Sequence, residues 1–108
     1  MRTHQEIDAR SLMLHCFVAD KIRRDPAQFA VAQATLARWR ASVGAAPQPY
    51  LERWDDLMNQ GMEACLAVAV ENSQRADALR QNSPFSGILT NRERFTLLKN
   101  WKQSHETP

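Results

Sequence analysis

The side chains able to do chemistry in this chain are few and scattered. Histidine occurs at His4, His15 and His105, and thiols at Cys16 and Cys65. A bound metal wants such ligands converging at fixed offsets, as in C-x-x-C or H-E-x-x-H, and neither spacing is present. His15 and Cys16 are adjacent, so on a helix they point in different directions. No metal and no cofactor is expected. Nucleophilic catalysis needs a serine or cysteine beside a base. Both cysteines have apolar neighbours, which raise a thiol's pKa and leave it inert. Ser83 and Ser86 have no histidine near them in sequence, although folding could bring His15 close. Turn and cap formation accounts for both hydroxyls. Asp55 and Asp56 read as solvated carboxylates on a helix surface. With glycine only at Gly44, Gly61 and Gly87, no loop can cradle a phosphate. The expectation is a protein that is not an enzyme.

The elements that would position these residues are helical. At 108 residues, 44% hydrophobic and 24% charged, the chain should form a single domain over 1–108, with a core that needs no disulfide. The cysteines read as buried thiols in a reducing compartment. "MRTHQEIDAR" has no apolar signal core and no apolar run is long enough for a membrane, so the expected location is cytoplasmic. Thr3 with Glu6 makes a capping box for a helix to about Asp25, with Ile7, Leu14, Val18 and Ile22 on one stripe. Leu12, Met13, Cys16 and Phe17 lie on its other sides. A helix apolar almost all round must be covered on more than one side, so it is central to the domain or shared with a second chain.

"RRDPAQF" is a boundary, with Asp25 and Gln28 as a second box around Pro26. Phe29, Ala32, Leu36, Trp39 and Val43, spaced 3, 4, 3 and 4 apart, predict a second helix stopped by Gly44. "AAPQP" is a stiff connector. A third helix from about Tyr50 carries Leu51, Trp54 and Met58, and Gly61 kinks or ends it. "MEACLAVAV" reads as helix. Asn72 or Ser73 caps a short helix that Pro84 cannot extend. Thr90 and Glu93 form a third box, opening a last helix with Phe95, Leu98 and Trp101 inward. Residues 1–3 and 103–108 should fray. The expected fold is all-α, a compact bundle of about five helices.

One segment breaks the pattern. In "ALRQNSPFSGILTNRERFTLLKNW", Phe85, Ile88 and Leu89 sit among Asn, Ser, Pro and Gly. Either they fold back and fasten the last helix to the bundle, or part of the cluster stays exposed for a partner. A simple hydrophobic staple fails because Arg94 holds the fourth helical position, leaving Phe95 to pair with Leu89 or Ile88. In the second reading Phe85, Ile88 and Leu89 dock on the partner while Arg80, Arg92 and Arg94 form a charged rim.

Net charge is +2, too small to imply nucleic acid by itself. Basic residues do cluster: Lys21, Arg23 and Arg24, Arg38 and Arg40, and a second set of Arg92, Arg94, Lys99 and Lys102 beside Trp101. Phosphate contacts need such clusters. Acidic residues are interleaved with them, however, and cations at helix C-termini also serve the helix dipole. "NQGMEACL" and "LRQNSPFSGILTNRERF" resemble stretches of small helical bacterial antitoxins and other inhibitors encoded beside a larger partner. That resemblance implies neutralisation of a toxin or enzyme by occlusion, and it transfers no residue roles. The expected function is thus a protein-binding module, homodimeric or heteromeric and bacterial. The alternative is a small regulator contacting nucleic acid through Lys21, Arg23, Arg24, Arg38 and Arg40. No membrane role is expected.

Overall fold

The computed structural model describes residues 3–42 and 48–106. The described residues form six α-helices and no strand: α1 (His4–Arg24), α2 (Ala27–Ser42), α3 (Pro49–Asn59), α4 (Met62–Ala69), α5 (Gln74–Arg80) and α6 (Asn91–Glu106). The all-α expectation holds, with one helix more than about five. Gly61 supplies the extra break. It adopts φ 115°, a conformation that side chains with a Cβ resist, and it ends α3 rather than kinking it. The predicted stop at Gly44 and the connector through Pro47 lie outside the described residues, as does Val43.

Capping chemistry fixes most of the other boundaries. Thr3 Oγ1 accepts the Glu6 amide at 3.1 Å, and Ser73 Oγ accepts that of Ala76 at 3.2 Å. At α6 the box is reciprocal: Glu93 N–H donates to Thr90 Oγ1 at 3.1 Å and Thr90 N–H to Glu93 Oε1 at 2.8 Å. The box at Asp25 differs from expectation. Its carboxylate accepts from the Gln28 side chain at 3.2 Å, while its backbone N–H closes the end of α1 onto Lys21 O. At the other end of the chain, α6 continues through Glu106, past the point where fraying was expected to begin.

α1 is the central rod, packed against α2, α4, α5 and α6. Leu14, Val18 and Ile22 are buried along the predicted stripe, whereas Ile7 at its start is exposed. α2 contributes Phe29, Ala32 and Leu36, with Trp39 partly buried, and α3 contributes Leu51, Trp54 and Met58. Trp54 is fully buried, and its indole N–H donates to Leu79 O at 3.0 Å, so the ring enters the core without an orphaned donor. Two further expectations fail. Cys16 is exposed rather than buried. Phe95 points outward, because α6 faces α1 with Glu93 and Leu97 instead. No helix among the described residues is long and apolar enough to cross a membrane.

Candidate functional site

The six residues expected to form the partner patch do not come together on the surface. Phe85 is 0% exposed, and Ile88 and Leu89 are also buried. The Phe85 ring meets Trp54 edge-on, with centroids 5.4 Å apart, and His15 at 6.4 Å. This segment can turn its apolar groups inward because its polar atoms are satisfied as it does so. Ser83 Oγ accepts the Phe85 amide at 3.1 Å, the Ile88 amide reaches Phe85 O at 3.1 Å, and Lys21 Nζ donates to Ile88 O at 2.8 Å. An apolar docking patch centred on Phe85 and Ile88 is therefore ruled out in the folded chain, and Leu89 keeps only 8% of its surface exposed.

Arg80 is no rim residue either, its side chain being 1% exposed. Its Nη1 donates to the carbonyls of Ala69 and Glu71 at 3.0 and 2.9 Å, and its Nη2 to Asp77 Oδ1 at 2.6 Å. It thereby caps the carbonyl end of α4, where orphan acceptors collect. Arg92 and Arg94 are exposed, but two positions on a helix turn through about 200°, so they face different sides of α6.

What folding does assemble is a cleft of about 440 Å³, lined by α1, the segment after α5, Trp39, Leu51 and Arg94. At its edge His15 and Ser83, 68 residues apart in sequence, are joined by a 2.7 Å hydrogen bond from the hydroxyl to Nε2. The direction follows from the other ring nitrogen. Nδ1 lies 2.8 Å from Ser11 O, which can only accept, so Nδ1 carries the proton. Burial lowers the His15 pKa to about 4, the charges of Arg80 and Arg94 push the same way, and the Ser11 carbonyl opposes them. An imidazole of that pKa is a weak base at neutral pH. Ser83 and His15 are also both buried, and Ser83 Oγ is engaged by Phe85 as well. The arrangement ties α1 to the apolar segment.

The thiols are poor nucleophiles for the expected reason. Burial pushes Cys65 up to about 12 and raises Cys16 as well. Among the described residues no three His, Cys, Asp or Glu side chains converge on a point.

A second concavity, about 280 Å³, runs between α1 and α6. Phe17, Leu89 and Leu97 form its apolar part, and Lys21, Arg24 and Arg92 stand around it with Glu93. Phe17 is 43% exposed there. Lys21 is consumed by Glu93, at 2.7 Å, and that contact, with the Thr90 amide, holds the Glu93 carboxyl down at about 2. Arg24 donates to Asp20 O on its own helix at 3.3 Å, and neither Arg24 nor Arg92 forms an ion pair among the described residues. Phe17 was visible in the sequence as an apolar residue off the main stripe of helix one. Leu97 carried no separate signal, because only the tertiary placement of α6 decides which of its apolar residues faces α1.

The basic residues of the nucleic-acid alternative are mostly neutralised. Arg23 pairs with Glu63 at 3.2 Å, Arg40 with Asp55 at 3.3 Å and Lys21 with Glu93, while Arg38 donates to Thr35 Oγ1 at 3.4 Å. No protein-family model, no curated protein and no solved structure matches the chain.

Proposed function

We propose that this chain is a non-catalytic protein-binding module that seats an acidic, amphipathic helix of a second protein in the groove between α1 and α6. The observation that carries the reading is Phe17, left 43% exposed over an apolar groove on the central rod of the fold. A helix laid in a groove is recognised through apolar anchors on one face. The charge of the rim selects the partner. Once Glu93 has matched Lys21, Arg24 and Arg92 remain to meet carboxylates, and complementary charge sets specificity and association rate. The docking surface is thus shifted from Phe85 and Ile88 to the groove between α1 and α6, which keeps Leu89 as one of its lining residues. The finer reading rests on the resemblance to small antitoxins and inhibitors: the partner is a larger bacterial toxin or enzyme, neutralised by occlusion.

The test places a photocrosslinking phenylalanine analogue at position 17 in the native host, with position 31 on α2 as a control. The partner captured only from position 17 is then purified and titrated with the unmodified chain. Reversing the rim with Arg24→Glu and Arg92→Glu should weaken that complex at least about tenfold, consistent with loss of charge-assisted contacts. Equal affinity for the reversed variant, or a complex lost instead on replacing Arg38 and Arg40, would remove the groove from consideration.

A further inference from the structure

The cleft beside His15 shares only Leu89 with that groove, and its own lining is of two kinds. Leu14, Trp39 and Leu51 give an apolar part, and the guanidinium groups of Arg10, Arg80 and Arg94 stand against a single lining carboxylate, Asp8. Its volume, about 440 Å³, lies within the range of small-molecule sites. Two of these cations keep unspent capacity. Arg94 makes no ion pair and no side-chain hydrogen bond among the described residues. Arg80, though held by Asp77 and two carbonyls, has a buried Nε–H without a partner among the described residues. A buried donor left in that state costs free energy. Asp77 at 2.6 Å balances the Arg80 charge and leaves Arg94 as the lining cation of these two without an ion pair among the described residues. Both charges are felt at His15, so their field reaches the edge of the cleft. His15 adds no competing function, since its two ring nitrogens are engaged by Ser11 and Ser83.

We propose that this cleft binds a small organic anion, a carboxylate or phosphate ester on an apolar body about the size of naphthalene. The charged group lies toward Arg94 and Arg80, and the body lies against Leu14, Trp39 and Leu51. An inorganic anion would satisfy the cations and leave the apolar part wet. A neutral apolar molecule would do the reverse. Only the combination uses both parts of the lining.

Four probes test this on the full chain: naphthoate, naphthyl phosphate, naphthalenemethanol and inorganic phosphate. Each is titrated by calorimetry, with the Trp39 indole N–H resonance followed in parallel. The two naphthyl anions should bind at one site and shift Trp39, and their ratio tells carboxylate from phosphate ester as the preferred group. The alcohol and inorganic phosphate should each bind at least about tenfold more weakly than the better anion. Arg94→Ala, a change at an exposed position that should leave the fold intact, should weaken both anions about tenfold and leave the alcohol unaffected. Phe17→Ser alters the other groove and should change none of these affinities, which keeps this result independent of the proposed protein partner. The inference is overturned if the alcohol binds as well as the acid or if Arg94→Ala has no effect. It is equally overturned if Phe17→Ser abolishes the binding, or if no probe saturates at millimolar concentration.

Discussion

Phe85 and Phe95 are the same residue, ten positions apart, and the fold treats them oppositely. The first, in an irregular segment rich in Pro, Ser and Gly, is 0% exposed; the second, on a regular helix, is 69% exposed. The usual association of helices with core and loops with surface is inverted here. The difference lies in backbone accounting. The loop can enter the interior only if its amides and carbonyls find partners, and Ser83, Lys21 and the Ile88 amide provide them. A helix satisfies its own backbone on every side, so α6 can leave an apolar side chain bare at little cost.

The largest test of that contrast is Phe85→Ala. Truncating a ring that fills the space between Trp54 and His15 should cost about 3–5 kcal/mol, read as a lower midpoint in urea. A loss below about 1 kcal/mol would mean that the segment collapses to fill the gap, and that its burial is less specified than the hydrogen bonds imply.

Next in size is a pH effect at His15. Its folded pKa, about 4, lies below the ordinary imidazole value of 6.5 that applies when unfolded. Between those values the unfolded chain binds a proton that the folded chain refuses. Stability therefore falls as pH drops from about 6.5 to 4, by about 3 kcal/mol in total. Urea unfolding of wild type and His15→Gln at several pH values checks it, since the variant should lose this slope. Glu71 and Glu93, both held near 2, are lost only in a lower window, from about 4.5 downward, so the two effects separate. Equal slopes for both proteins would remove His15 as the cause.

These positions also show what was legible beforehand. The capping signals at Thr3 and Thr90 are local, written within four residues; the box at Thr90 forms in full, and at Thr3 the hydroxyl accepts the Glu6 amide. The core stripe of α2 and the anchors of α3 follow from helical period, and they are buried in large part as read. What stayed hidden is long-range. The bond between His15 and Ser83 spans 68 residues, and no spacing rule announces it. Arg80 looked like a surface arginine because nothing in "DALRQN" reveals that α4 ends beside it with free carbonyls. For the apolar segment both destinations were open. Whether Phe85 is core or patch depends on the partners that α1 happens to bring, Lys21 above all.

Lys21 gives a smaller, sharper test. It donates to Ile88 O and to Glu93 Oε1, binding the end of the apolar segment to the start of α6. Lys21→Met should let the Glu93 carboxyl rise from about 2 toward its ordinary 4.5, because the hydrogen bond from Lys21 is the largest cause of its depression. Carbon-detected titration of the Glu93 side chain measures this directly. A carboxyl that stays near 2 would assign the effect to the Thr90 cap instead, and would leave α6 held by its own first turn.

The smallest expected effect belongs to Phe95→Ser. A side chain 69% exposed has little apolar area to lose, so stability should change by no more than about 0.5 kcal/mol at low concentration. The informative variable is concentration. If α6 packs against nothing beyond α1, wild type and variant should unfold at the same midpoint however much protein is present. If Phe95 is covered by a second copy of the chain, the wild-type midpoint will climb with concentration and that of Phe95→Ser will not, because association stabilises only the form that can associate. In that case the contrast with Phe85 would change its meaning: both rings would be buried, one by a loop that satisfies its own backbone and the other by assembly.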